Sequence, residues 1–260
     1  NLIVGEGRLG FVKILTTDKT VDHTFADNNR NFRGSETDTC TLDGVNDSRV
    51  RSLNDLGLAT NVSGVSGDVI YGADSGSTNG KIVGINTSGE CVEVITWAEL
   101  GNFRPVAMEV RTIGGEDHLF ASGRWWQGGW RSRFYTKNLT TGNASTCGSD
   151  YGGSLSIDIR DSTDLTVDNS GDFLYYIWRG RIYGYELTKT GNNYCPSDTG
   201  WDRRYYHGTT STTHRSASAI EISREDDSIM YVASGAHNVV QKVNLTGSTS
   251  LTSVTLAGRR

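Results

Sequence analysis

Short apolar runs alternating with polar positions fill the chain, each closed by a turn rich in Gly, Asn, Asp or Ser. No segment keeps a helical period. A strand running into a Thr/Asn/Gly turn returns five times, at residues 13–18, 83–89, 136–142, 185–191 and 242–247, at intervals of 70, 53, 49 and 57 residues. Each copy follows another strand, usually with a glycine-bearing turn: residues 2–7, 69–74, 119–123, 174–178 and 230–235. Further upstream lies an alternating strand, clearest at 164–172 and weaker at 55–58, 106–110 and 219–222. Inner, second, third and edge strand in about fifty residues make a propeller blade. One such blade cannot cover its own faces, whereas blades stacked around an axis cover one another. The chain is therefore expected to be all-β: one β-propeller domain over residues 1–260, with about five blades of mostly antiparallel four-stranded sheet. The units run roughly 1–50, 51–100, 101–150, 151–205 and 206–260.

Two expectations concern the axis. The inward positions of the inner strands read Leu56, Leu58, Ala107, Leu165, Val167, Ala219 and Ile220, which predicts an apolar, small-lined interior. The first unit begins at Leu2 with what is elsewhere the second strand, and its edge strand is expected near Thr20–Phe25. It lacks an inner strand of its own. Either the native polypeptide extends beyond this segment, or a neighbouring subunit donates a strand and the chain self-assembles as a polymer unit.

The run from Asp168 through Ser170-Gly171-Asp172-Phe173-Leu174-Tyr175-Tyr176, followed by Gly180-Arg181-Ile182-Tyr183-Gly184-Tyr185-Glu186-Leu187, resembles a blade of the NHL, YVTN and regucalcin-like β-propellers. Residues 219–247 resemble it as well, and the other three units more loosely. The resemblance implies architecture, since propellers host enzymes, lectins, adhesins and scaffolds alike. A calcium-dependent lactonase of the regucalcin type would draw a Glu, an Asn and an Asp from different blades, and Glu6, Asp74, Asn79 and Asp172 align to such roles. That family's opening Glu-Gly-Pro is absent, because Gly7-Arg8 follows Glu6. Five-bladed glycosidases use inner-strand carboxylates, for which Asp22, Asp27 and Asp168 are candidates. The plainer expectation is that these Asp residues close β-turns.

Composition narrows the partners. Net charge is −5 with no long basic block, which argues against nucleic acid, and no apolar stretch is long enough for membrane insertion as a helix. The start at Asn1-Leu2-Ile3-Val4, already strand-like, reads as a mature or excised segment. The four cysteines form no C-x-x-C pair. Cys40 precedes Leu56 as Cys147 precedes Leu165, while Cys91 and Cys195 lie at the edge strands of the second and fourth units. Equivalent units should pair equivalently, giving Cys40–Cys91 and Cys147–Cys195. Six sequons, at Asn46, Asn61, Asn86, Asn138, Asn143 and Asn244, join the even cysteine count in pointing to an extracellular or cell-surface glycoprotein. Asn86, Asn138 and Asn244 share one turn position, so glycans there would decorate one face. His23, His118, His207, His214 and His237 are scattered and form no metal motif.

The sharpest local feature is residues 124–133, where Arg124, Trp125, Trp126, Trp130 and Arg131 crowd what reads as a turn between two strands of the third unit. Trp and Arg are the residue types that dominate binding hot spots, and indole faces stack on sugar rings. Trp97, Trp178 and Trp201 read as packing residues. The leading expectation is a non-catalytic binding or structural module for protein or glycan, a surface filament subunit or adhesin, without cofactor. The alternative is a lactonase or glycoside hydrolase at the central channel, for which calcium would be the cofactor.

Overall fold

The structure, a computed structural model, describes residues 2–6, 10–14, 53–75, 80–126, 130–151, 162–178, 180–196, 217–234, 238–245 and 252–258. All regular elements among them are β-strands. A hairpin of β1 (Leu2–Glu6) and β2 (Gly10–Ile14) comes first. Then follow four antiparallel four-stranded sheets, each laid out in chain order. The second sheet holds β3 (Leu53–Ala59), β4 (Val69–Asp74), β5 (Lys81–Asn86) and β6 (Cys91–Ile95). The third holds β7 (Arg104–Ile113), β8 (Glu116–Trp126), β9 (Trp130–Asn138) and β10 (Ala144–Tyr151). The fourth holds β11 (Ser162–Val167), β12 (Phe173–Trp178), β13 (Arg181–Thr190) and β14 (Asn193–Pro196). The fifth holds β15 (Ala217–Ile222), β16 (Ile229–Ser234), β17 (Val239–Asn244) and β18 (Thr252–Gly258).

The inner strands β3, β7, β11 and β15 stand side by side in that order, and second strands lean on the next inner strand, as β4 does on β7 and β12 on β15. This is a β-propeller. β1 touches β3 in the manner of a second strand, as its sequence predicts.

Period-two alternation explains the cores. On β12, Leu174 and Tyr176 enter the cluster shared with Ala107, Phe120 and Phe134 of the third sheet. Tyr175 and Ile177 point the other way, into the cluster with Ile220, Met230 and Val232 of the fifth. The equivalent cluster between the second and third sheets centres on Tyr71, Phe103, Leu119 and Tyr135. Each middle sheet is thus buried on both faces, the condition that stacking must satisfy.

Outer edges are tied covalently. Cys147 on β10 is bonded to Cys195 on β14 across neighbouring sheets, with Cα atoms 5.5 Å apart. Cys91 on β6 is also in a disulfide; its expected partner, Cys40, lies outside the described residues, as does the expected edge strand at 20–25.

Each inner strand carries one extra residue against its second strand, at Asn54, Val106, between Ser162 and Leu165, and at Ser218. These aligned bulges fix a common register. Leu56, Met108, Leu165 and Ile220 are equivalent in it, facing Gly72, Ala121, Tyr176 and Val232.

Candidate functional site

With the register fixed, side chains at equivalent positions of neighbouring inner strands can be matched. Asp55 and Asp164 each accept the N–H of their own next residue and that of the neighbouring inner strand. The Asp55 carboxylate takes Leu56 N at 2.9 Å and Met108 N at 2.8 Å. That of Asp164 takes Leu165 N at 2.9 Å and Ile220 N at 2.7 Å. Ala107 and Ala219 stand at the same position in the alternate strands. Two residues on, Glu109 accepts Val167 N at 2.8 Å and Thr166 accepts Ile222 N at 3.1 Å. Gly57 fills that place on β3, where a Cβ would stand 2.6 Å from Val110 Cγ2. Inner-strand N–H groups that face no second strand are therefore met by side chains of the preceding blade.

These strands surround a cavity of about 570 Å³, lined on the axis by Asp55, Leu58, Glu109, Asp164 and Glu221, with Asp68 and Arg224 among its other residues. The expectation of an apolar interior is corrected here. Leu56, Leu58, Leu165 and Ile220 do line the cavity, but Ala107 and Val167 are buried elsewhere and four carboxylates converge. The physical reason is that an inner strand presents its edge to the axis, not a face, so alternation does not sort its residues into inward and outward sets. Burial raises Asp55 to about 7 and Glu109 to about 8. Asp164 is raised to about 8 by burial and then by the nearby Asp55 charge. The buried Arg111 guanidinium lies 2.7 Å from Glu109 and 3.4 Å from Glu221. It also donates to Thr166 Oγ1 at 3.1 Å and Asn169 Oδ1 at 3.2 Å, joining three sheets.

Of the lactonase and glycosidase candidates, the three whose side chains are described, Asp74, Asp168 and Asp172, do not converge. Asp74 is buried at the far end of β4, whereas Asp172 is exposed in the β11–β12 turn, at the opposite end of the blades. Asp168 closes that turn, its Oδ1 accepting Asp172 N at 2.8 Å and Phe173 N at 3.1 Å. Asn79, Asp22 and Asp27 lie outside the described residues, and of Glu6 only the backbone is described. Among the described residues no three His, Cys, Asp or Glu side chains stand close enough to hold a metal ion. His118 is buried against Tyr194, with ring centroids 5.0 Å apart, and burial lowers its pKa. The other four histidines lie outside the described residues.

The tryptophan segment proves to be strand for most of its length. The other three sheets end this ladder at Asp74↔Lys81, Trp178↔Arg181 and Ser234↔Val239. In the third, the equivalent pair Gly123↔Arg133 is followed by Arg124↔Ser132, Trp125↔Arg131 and Trp126↔Trp130. The expected turn is instead a β-ribbon projecting three pairs further, because alternating bulky residues favour paired strand over loop. The backbone of Trp125, Trp126, Trp130 and Arg131 is described, not the side chains. The ribbon lies on the face with the β4–β5 connection, while Asp68, Thr87 and Arg224 place the cavity mouth on the other.

Asn86, Asn138 and Asn244 end β5, β9 and β17 on that cavity face. Asn86 Oδ1 accepts Ser88 N and Glu90 N, at 3.0 and 2.9 Å. Asn138 is fully buried, its Nδ2 donating to Glu116 Oε2 at 2.8 Å and its Oδ1 accepting Thr141 N at 2.9 Å. These two asparagines serve as turn locks. Asn61, Asn143 and Asn244 are exposed, and Asn46 lies outside the described residues.

No protein-family model and no curated protein matches the chain. Among solved structures it is similar to a chain of a nidogen/laminin complex, at 12% identity and TM-score 0.43, over 70% of this chain and 58% of that one. A periplasmic gluconolactonase of Pseudomonas aeruginosa matches at 10% identity and TM-score 0.49, over 97% of this chain and 66% of that one. A putative 6-phosphogluconolactonase of Bacteroides uniformis matches at 12% and 0.44, over 79% and 56%. The chain thus spans less than two thirds of each of these proteins. The likeness is one of fold, shared by propellers with different functions.

Proposed function

We propose that the chain is a non-catalytic, extracellular propeller module that binds protein or glycan through the β8–β9 ribbon. The supporting observation is that ribbon itself: three cross-strand pairs beyond the common end of the blades, built from Arg124, Trp125, Trp126, Trp130, Arg131 and Ser132. Rigid aromatic and guanidinium groups on a projecting ribbon give large contact area at low ordering cost. The Cys147–Cys195 bridge supports an oxidising compartment. At the axis, the oxygens of Asp55 and Asp164 and one of Glu109 already accept strand N–H groups. Such bonds suit structural ties better than acid–base chemistry.

The test is a panel of immobilised glycans and extracellular proteins probed with wild type and with the Trp125→Ala, Trp126→Ala, Trp130→Ala triple variant. Binding should vanish in the variant with little change in melting temperature. A melting temperature that collapses, as when aromatics buried in a core are removed, would instead make the ribbon a packing cap.

A further inference from the structure

His118 breaks a series. Its pair with the third strand, His118↔Asn138, is matched by Val69↔Asn86, Phe173↔Glu186 and Ile229↔Asn244 in the other three sheets. Apolar residues hold the place elsewhere, so packing does not call for an imidazole. The His118 side chain is 1% exposed, and neither ring nitrogen has a hydrogen-bond partner among the described residues. A buried polar group left in that state is costly. The ring stands edge-on to Tyr194 of β14 at 5.0 Å and is stacked with Phe120 at 6.3 Å. Through Tyr194 the four-residue β14 joins Phe120, Phe134 and Cys147 in the core between the third and fourth sheets. The charged groups around the ring, among the described residues, are Glu116 and Asp117 on β8, Arg111 on β7 and Lys189 on β13. Glu116 Oε2 stands 3.9 Å from Nε2 while accepting Asn138 Nδ2. Asp117 is taken up by the N–H groups of Thr60 and Asn61, and Arg111 by Glu109 and Thr166. Lys189 Nζ lies 5.3 Å from the centre of the Tyr194 ring.

We infer that His118 is an acid-triggered latch on the seam where β14 meets the third sheet. Neutral, the ring fills a dry place against Tyr194. Protonated, it puts a charge there that Lys189 opposes and that Glu116, already engaged with Asn138, balances at 3.9 Å. The proton is therefore taken up where the ring reaches water, with β14 lifted away and Phe120 and Phe134 uncovered. The Cys147–Cys195 bridge keeps β14 tied to β10, so the seam can close again. The sign follows from linkage. The ordinary pKa of the imidazole is 6.5, and burial lowers it in the closed seam. The open seam holds the extra proton, and its population grows about tenfold for each pH unit below 6.5. The axis responds in the opposite sense, because Asp55, Glu109 and Asp164 hold protons in the folded state at these pH values. Mild acid thus loosens the edge while the inner strands stay closed. The latch does not depend on the β8–β9 ribbon, so either can fail without the other.

The test combines two readings between pH 7 and pH 5. Residue-resolved amide exchange, corrected for the intrinsic pH dependence of exchange, follows the β13–β14 ladder from Leu187↔Pro196 to Thr190↔Asn193. The β5–β6 ladder, another outer edge, is the internal control. Proton resonances of the His118 ring give its own titration. In wild type, protection of the β13–β14 ladder should fall about tenfold per pH unit below 6.5, with the β5–β6 ladder unchanged. The ring should titrate below 6.5. In His118→Phe, which installs the residue type that Phe173 supplies at this place in the fourth sheet, the β13–β14 ladder should keep its protection down to pH 5. A ring that titrates at or above 6.5 overturns the inference, as does β13–β14 protection that is indifferent to pH. Loss of protection shared equally by the β5–β6 ladder, or retained in His118→Phe, overturns it too. Should His118→Phe not fold, the two wild-type readings decide by themselves.

Discussion

At the scale of single residues, glycine and carboxylates do opposite work at the same register position. Gly57 lets β3 approach β7 where a longer side chain would collide with Val110. Gly57→Ala should therefore destabilise the fold by about 1–3 kcal/mol through overpacking, measured by denaturant unfolding. An unchanged midpoint would show that β3 and β7 have room to spare. Asp55, Glu109 and Asp164 carry the pH dependence. Their ordinary values are 3.8, 4.5 and 3.8, and burial raises them to about 7, 8 and 8. The folded state therefore holds protons that the unfolded chain releases. The stability they contribute is complete below pH 4 and is lost as pH rises through 7 to 8. Thermal unfolding should occur at higher temperature at pH 5.5 than at pH 8.5, and Asp164→Asn should flatten that dependence. A melting temperature that climbs across this range would contradict the axial assignment.

At the scale of elements, the edges matter as much as the cores. The Cys147–Cys195 bond joins β10 to β14, the outer strands of adjacent sheets. Replacing both cysteines by serine should lower unfolding free energy by about 2–4 kcal/mol, read from denaturant melts. A smaller loss would mean that packing between the third and fourth sheets already fixes those edges. This bridge was legible in the sequence because Cys91 and Cys195 recur at the edge of their units. So were the strand order and the inner strands, since Leu165-Thr166-Val167 and Ala219-Ile220-Glu221-Ile222 carry the period of two. The extent of the tryptophan ribbon was not. A run of Trp and Arg around Gly128-Gly129 satisfies turn chemistry and strand chemistry alike, and only pairing across the sheet decides between them.

At the scale of the whole molecule, the two faces of the propeller are chemically different. One carries the Trp/Arg ribbon, the other the mouth of an acidic cavity. The axis escaped sequence reading because its chemistry belongs to the ring. Asp55, Glu109 and Asp164 lie on three separate strands, more than fifty residues apart in sequence, and each looks like an ordinary turn or surface acid. Their common role emerges only when β3, β7, β11 and β15 stand side by side and the bulges set one register for all four.

The arrangement of inner strands around a carboxylate-clasped axis is the claim on which the rest stands, and amide hydrogen exchange tests it most directly. The N–H groups of Met108, Val167 and Ile220 face away from their own second strands, yet are held by Asp55, Glu109 and Asp164 at 2.8, 2.8 and 2.7 Å. Residue-resolved exchange in wild type should find these three amides protected to the level of the sheet ladders. Asp55→Ala, Glu109→Ala and Asp164→Ala should each release chiefly the amide of the next inner strand. Exchange of all three at the rate of exposed loops in wild type, unaffected by the substitutions, would contradict the ring.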